Sequence, residues 1–414
     1  MKIGFVTREL PPSRRVGGIG NYVWDTARYL AELGHQIIII AASDNVASHS
    51  DTMVEGVRVI RLEGADFFMD DGNRLIVALR SHIRRIICYG QYRRKVANRL
   101  DRLISKGEVE IVEFAEYGNE AAIWARQVRK IPMVIRLHGS TLLDRATGQE
   151  ITWTKSLVNR YFGLKEMKTL QKADAISSPS KAMVEQSACA KGVSAEHIEV
   201  IPNTVCIDKW RYNKECQSVS IDRSTVCIFS AGSVTSGKGF SELVEAVRQL
   251  RKEGLKIKLM IAGKLGALGR RLVILSKDHN EYREWLDLPG EIPRVHLGSY
   301  YANADLVIFP SWWEPFGLVC IEAMAAQALV IGSNAGGMAE IIDDGVDGFL
   351  VVPKNVEKLK QKINYVLSLS EEKRRNIRVA AERKVCEKFD IKTVVQKQLE
   401  FYNRTLERFK SAKS

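Results

Sequence analysis

The chain has 414 residues, 45% hydrophobic and 27% charged, a globular composition too long for one core, so two domains of about 200 residues each are expected. Its net charge of +13 and pI near 9.3 favour anionic partners such as nucleotides, nucleic acid or an acidic membrane surface, without choosing among them. Seven cysteines with no C-x-x-C pair argue against zinc and dithiol redox sites, and no apolar run approaches the roughly 20 residues that span a bilayer.

Met1–Thr7 reads as a strand from the outset, with no room for a signal peptide, so the expected location is the cytoplasm, free or at the inner face of the membrane. The loop Pro11–Gly20 is rich in glycine and carries Arg14 and Arg15. It is not a dinucleotide fingerprint: nine residues separate Thr7 from Gly17, and the third glycine position holds Val23. A helix follows at Ile19–Leu33, with Val23, Ala27, Leu30 and Leu33 on one stripe and Gly34 closing it. Strands are predicted at Gln36–Ala41, Val57–Arg61, Ile111–Phe114, Met133–Leu137, Ala175–Ser178 and Ile198–Ile201. They are Ile/Val-rich and do not alternate, as expected for a parallel sheet covered on both faces.

Between them, residues 74–102 hold nine Arg/Lys against the single acid Asp101, with Leu75, Leu79, Ile83, Ile86 and Ile87 interleaved. This pattern suits either an amphipathic helix for anionic lipid headgroups or a core helix with a solvated basic face. Its aromatics, Tyr89 and Tyr92, are too sparse for nucleic-acid binding. His138 stands just past a strand end, where parallel sheets bind ligands.

The polar stretch Asp208–Ser224 reads as a linker, and the scheme then repeats. Strands are predicted at Val226–Ser230, Lys258–Ala262, Val295–Leu297, Leu306–Phe309, Leu329–Gly332 and Phe349–Val352. Helices are predicted at Ser241–Lys252, Ile321–Gln327 and Val356–Leu369. A last helix shows Val395, Leu399, Tyr402, Leu406 and Phe409 at 4-3-4-3 spacing.

Two segments of this half carry the chemistry. In Ser230–Phe240 a strand enters a glycine-rich loop containing Gly232, Ser233 and Lys238. Glycines admit an anion close to the backbone and Lys238 adds a point charge, but no Ser or Thr follows the lysine, so this is not a Walker A loop. In Phe309–Ala325 two glutamates stand eight positions apart. Pro315 keeps Glu314 out of a helix, Gly317 and Leu318 offer amide groups at a helix start, and Glu322 follows about one turn later. Neither Asp70-Asp71 nor Asp343-Asp344 has the flanking pattern of a metal-binding strand end.

Together these segments resemble the donor-binding motifs of retaining GT-B glycosyltransferases of the family 4 type. The resemblance extends through Asn334–Ile342 and Asp347–Val351, and includes Ile201-Pro202-Asn203-Thr204, with threonine where the family has glycine, and Val295-His296-Leu297-Gly298. It implies two Rossmann-like domains facing a cleft. The acceptor domain would be 1–205 plus a crossing helix, 390–414, and the donor domain 206–389. Glu314, His138 and Lys238 would be catalytic. Glu322, Ser233, Phe316, Gly317, Leu318, Gly232 and His296 would hold the donor, with Ser233 replacing the family's phosphate-clamping arginine. Gly17, Gly18, Arg14 and Arg15 would face the acceptor.

The implied reaction moves a sugar from a nucleoside-diphosphate sugar to a hydroxyl of a lipid-linked or saccharide acceptor, with retention and with neither metal nor cofactor. Surface-polysaccharide or glycolipid assembly, with peripheral contact to an anionic membrane and no nucleic-acid partner, is the expected setting. A GT-B phosphorylase, a nucleotide-sugar epimerase and a non-catalytic nucleotide-sugar-binding subunit remain as alternatives.

Overall fold

The computed structural model describes residues 1–11, 17–43, 49–63, 75–139, 153–210 and 225–413, with 75–86, 153–159 and 188–191 described as backbone only. Arg14, Arg15, Arg74, the Asp70-Asp71 pair and most of the proposed linker therefore lie outside the described residues. The described residues fall into two compact units, which exchange at Thr204/Val205 and again at Thr393/Val394, so that the chain's last helix belongs to the first unit.

Unit 1 holds eight strands: β1 (Lys2–Thr7), β2 (Gln36–Ala42), β3 (Ser50–Val54), β4 (Val57–Leu62), β5 (Ile111–Ala115), β6 (Met133–Arg136), β7 (Ala175–Ser178) and β8 (Ile198–Val200). They are ordered β3-β4-β2-β1-β5-β6-β7-β8, parallel except for the edge strand β3. The alternation test misses β3 because Ser50-Asp51-Thr52-Met53 is polar and exposed. It forms because Glu55 (φ 48°) and Gly56 (φ 78°) make a two-residue turn of the kind that suits a right-twisted hairpin. The helices of this unit are α1 (Gly18–Glu32), α2 (Leu75–Ser105), α3 (Trp153–Leu170) and α4 (Lys181–Lys191).

Where its side chains are described, α2 is a core element. Tyr89, Tyr92, Val96, Ala97, Leu100 and Leu103 are buried, and the Arg93 guanidinium is buried too, donating to the Gly118 carbonyl. In this half the inner face packs into the unit, while Ile87, Arg94, Lys95 and Arg102 stay exposed on the outer one.

Unit 2 holds β9 (Val226–Ala231), β10 (Ile257–Ala262), β11 (Leu286–Gly290), β12 (Leu306–Phe309), β13 (Val330–Ser333) and β14 (Phe349–Val351), all parallel, in the order β11-β10-β9-β12-β13-β14. Its helices are α5 (Phe240–Lys252), α6 (Ala267–Asp278), α7 (Asn280–Arg283), α8 (Arg294–Asn303), α9 (Leu318–Ala325), α10 (Met338–Ile341), α11 (Val356–Ser368) and α12 (Glu371–Lys388). Two expectations need correction. The third strand of this unit, at the sheet edge beside β10, is Leu286–Gly290, and Val295–Leu297 is not a strand but the first turn of α8. Pro293 precedes that helix, where its fixed φ and missing donor cost nothing. The helix placed at Ile321–Gln327 begins three residues earlier, at Leu318.

The final helix, α13 (Ile391–Ser411), is anchored in unit 1 by more than an apolar stripe. Val394, Val395, Phe401 and Tyr402 are buried, each apolar side chain contributing about 1.5–3 kcal/mol on burial. Among them lies a polar knot. Tyr402 Oη donates to Glu113 Oε2 (2.7 Å), Tyr22 Oη to Glu113 Oε1 (3.1 Å), and Gln398 Nε2 reaches Tyr22 Oη (2.7 Å). Burial raises the Glu113 pKa and the attraction of Arg136 opposes that rise. Gln398→Ala should cost about 2 kcal/mol, because it leaves buried hydroxyls short of a partner. The urea midpoint of unfolding reads this directly, and an unchanged midpoint would show that the knot is not stabilising. Among the described residues no helix is long and apolar enough to cross a membrane.

Candidate active site

Each sheet reverses its strand order once, at β1/β5 in unit 1 and at β9/β12 in unit 2, and in such sheets ligands bind at the carboxyl ends beside the reversal. In unit 2 the two loops leaving those ends are 232–239 and 310–317, and they meet. Lys238 Nζ pairs with Glu314 Oε1, which also accepts from Ser311 Oγ (2.8 Å). Trp312 ties the loops through its N–H, which donates to the Gly237 carbonyl (2.8 Å), and its indole Nε1 donates to Glu242 in the first turn of α5 (2.8 Å). Gly239 lies at φ 70°, and a Cβ there would sit 2.0 Å from the Pro310 carbonyl oxygen, so the contact requires glycine.

The Gly336-Gly337 pair has the same cause. Gly337 N–H donates to the Glu314 carbonyl (2.9 Å), and a Cβ on Gly336 would lie 2.2 Å from that oxygen at φ 64°. Gly336→Ala should therefore push the Glu314 loop out of place. A misplacement of about 1 Å can cost roughly 100-fold in rate, so we expect turnover to fall by about 10- to 100-fold while far-ultraviolet circular dichroism stays native. Wild-type turnover would separate Glu314 placement from this contact.

Gly317 (φ 113°) caps α9; the Cys320 N–H turns back to the Gly317 carbonyl (2.9 Å), so the anion-ready end is formed by the amides of Leu318 and Val319. Glu322 lies one turn in, 4% exposed, and receives Arg294 through Nη2 (2.7 Å) and Nε (3.0 Å). Arg294 in turn lies over the Trp210 ring at 5.4 Å. Beside them, burial and the Glu322 charge push the Tyr301 hydroxyl well above its ordinary pKa, and it has no hydrogen-bond partner among the described residues.

Of the residues singled out from sequence, Lys238 and Glu314 are in contact. Gly232 and Ser233 lie in the same loop as Lys238, with Ser233 exposed, and Gly317, Leu318 and Glu322 lie on or beside α9. Phe316 is a core residue packed edge-on against Phe389 (5.7 Å), leaving only its backbone for a ligand. His296 is an exposed residue of α8, and Arg294, two positions earlier, is the α8 residue that reaches the site. The sequence signal for Arg294 was an arginine directly after a proline, hidden by reading 295–297 as a strand. Asp343 and Asp347 both meet Lys384 at 2.8 Å, and Asp344 Oδ1 accepts from Leu350 N–H, so this acidic turn is satisfied structurally.

In unit 1, His138 follows β6 with its N–H toward Glu116 Oε2 (3.3 Å) and its ring 5.3 Å from Tyr22. Burial and the nearby Arg136 hold its pKa well below the ordinary value, so the ring is neutral at pH 7, and its Nε2 has no partner among the described residues. Arg136, which had no role from sequence, is fully buried. It donates to the Ile201 carbonyl (2.8 Å) and Asn203 Oδ1 (2.9 Å), fixing the segment that leads out of the unit. Gly17 N–H is held by Glu9 Oε2 (2.9 Å), and Gly18 opens α1.

A family model described as Glycosyl transferases group 1 matches residues 213–384, and one described as Glycosyltransferase Family 4 matches residues 16–209. The chain is 24% identical to a glycogen synthase of Mycobacterium tuberculosis over 97% of its own length and 94% of the relative's. A solved sucrose-phosphate synthase from Thermosynechococcus elongatus superposes with a TM-score of 0.79 at 20% identity, covering 98% of this chain and 99% of that one. The Anabaena protein HepE, in complex with UDP and glucose, gives 0.70 at 19% identity over 97% and 99%. The likeness to these structures establishes the GT-B fold.

Proposed function

Since the chain belongs to the group 1 and family 4 glycosyltransferases of GT-B fold, we propose that it is a retaining hexosyltransferase. It would take a sugar from a nucleoside-diphosphate sugar and place it on a hydroxyl of a saccharide or lipid-linked acceptor, in polysaccharide or glycolipid assembly. The observation that carries this reading is the Lys238–Glu314 contact at the β9/β12 reversal, beside the open amide end of α9.

Breaking the anomeric bond leaves negative charge on a nucleoside diphosphate. Lys238 and the first amides of α9 are fixed donors for that charge, and preformed donors of this kind contribute roughly 100- to 1,000-fold each in rate. Donor binding would draw Lys238 from Glu314 to the phosphates and free the carboxylate for sugar hydroxyls. Glu322, oriented by Arg294, would accept from the ribose diol. In unit 1, neutral His138, whose Nε2 has no partner among the described residues, suits hydrogen bonding rather than proton transfer. In this reading lysine and amides supply the positive charge, and no metal takes part.

The reading accords with the glycogen synthase relative and with UDP bound in the Anabaena neighbour. A thermal-shift panel of UDP, GDP, ADP and their sugars tests it: one nucleotide family should raise the melting temperature by mass action. Proton NMR of the product from an α-linked donor should then show an α linkage. A β linkage would remove retention, and no shift with any nucleotide would remove the donor assignment.

A further inference from the structure

Unit 1 carries a second feature that the donor site does not use. A surface hollow of ≈ 280 Å³ opens between α3 and the short helical turns at 120–126. Its apolar side is formed by Ala122, Ala125, Leu164 and Tyr161, the last two 44% and 41% exposed. Its charged lining is all basic, Arg126 on one side and Lys165, Lys168 and Lys172 on the other, with Thr169 between them and Lys165 Nζ 4.5 Å over the Tyr161 ring.

The spacing 161, 164, 165, 168, 172 places these residues along one face of α3 and its exit. The adjoining face is buried and includes Glu166, 3% exposed, whose charge acts on Arg93 instead. Among the described residues none of the four rim cations has a carboxylate partner. Two residues beyond Arg126, Val128 is 97% exposed, with Lys130 following it. One lysine near the end of α3 is accounted for by the helix dipole. Three in a row, facing an arginine across an apolar floor, are not.

We propose that this face of unit 1 docks on a bilayer containing anionic phospholipid. The rim cations would meet lipid phosphates while Val128, Leu164 and Tyr161 enter the headgroup–acyl boundary. Charge complementarity favours lipid over a soluble anion, because a soluble anion gives no use to the exposed apolar residues between the cations. The proposal is independent of the donor assignment and locates membrane contact away from the core half of α2.

Co-sedimentation of the full chain with phosphatidylcholine vesicles, with and without phosphatidylglycerol, tests it. Binding should require the anionic lipid, weaken with salt and persist in millimolar inorganic phosphate. The pair Lys165→Glu with Lys168→Glu should weaken binding by about tenfold or more, since each basic residue adds to the attraction. Val128→Asp should weaken it severalfold. A charge-matched pair in unit 2, Lys256→Glu with Lys277→Glu, should stay within about twofold of wild type if more than net charge is at work. Melting curves check that each variant folds. The proposal is overturned if wild type ignores phosphatidylglycerol, if inorganic phosphate displaces it, if Val128→Asp binds as wild type, or if the two lysine pairs lose binding equally.

Discussion

Lys238→Ala and Glu314→Ala should each lower turnover by roughly two to four orders of magnitude, with melting temperatures close to wild type. The reason is where the two groups sit. Both stand on loops at the β9/β12 reversal, and neither belongs to the packed interior, with side-chain exposures of 33% for Lys238 and 12% for Glu314. An ion pair this close to solvent contributes only about 0–1 kcal/mol to stability. Removing Lys238 leaves Glu314 still receiving the Ser311 hydroxyl, so the loop keeps part of its anchoring. On the proposed function the rate loss comes from the reaction itself, where Lys238→Ala removes the charge contact with the departing diphosphate and Glu314→Ala the hold on the sugar. The double variant should be little worse than the poorer single one, because the residues act on one transition state. Steady-state kinetics with the matched donor reads all three, and near-native turnover in either single variant contradicts the assignment.

Arg294→Ala should behave in the opposite way, with a large effect on folding and a smaller one on turnover. Glu322 is a buried carboxylate and Arg294 contacts it through two nitrogens. Removing one partner of a buried pair costs about 3–5 kcal/mol, here discounted toward about 3 because Arg294 is itself partly exposed. In the proposed function Glu322 holds the ribose, which is bound alike in ground and transition states, so the donor KM should rise about tenfold while kcat changes little. Arg294→Lys should recover only part of either loss, since an ammonium cannot place two donors on Glu322 and lie flat over Trp210. Chemical denaturation and donor titration separate the two effects. An unchanged denaturation midpoint with unchanged KM would remove Arg294 from the site.

How much of this was legible beforehand follows from the kind of signal involved. Covered strands such as Leu306–Phe309 and Gln36–Ala42 are nearly continuous apolar runs with short boundaries, and the structure places them where the pattern does. Lys238 and Glu314 were legible because glycine and proline punctuate both loops, and their contact follows once β9 and β12 are neighbours. Sequence reading failed where polarity or tertiary packing governs. β3 is polar because it is an exposed edge, and β11 is broken by Pro289 and Gly290. Val295–Leu297 looks like a strand locally, but it becomes helix because another segment fills the sheet position. The polar knot of Tyr22, Glu113, Gln398 and Tyr402 joins residues hundreds of positions apart, and no local pattern announces it. Arg136 is the same case: a strand arginine, fully buried because its acceptors come from 201–203.

The central claim is that the 232–239 loop and the start of α9 hold the diphosphate of the donor, and calorimetric titration with free nucleoside diphosphate measures it most directly. The preferred nucleotide should bind wild type, and Lys238→Ala should bind it about 10- to 100-fold more weakly, the loss of one charge-assisted contact of roughly 1.5–3 kcal/mol. Equal affinity in the two proteins would place the diphosphate elsewhere and contradict the account.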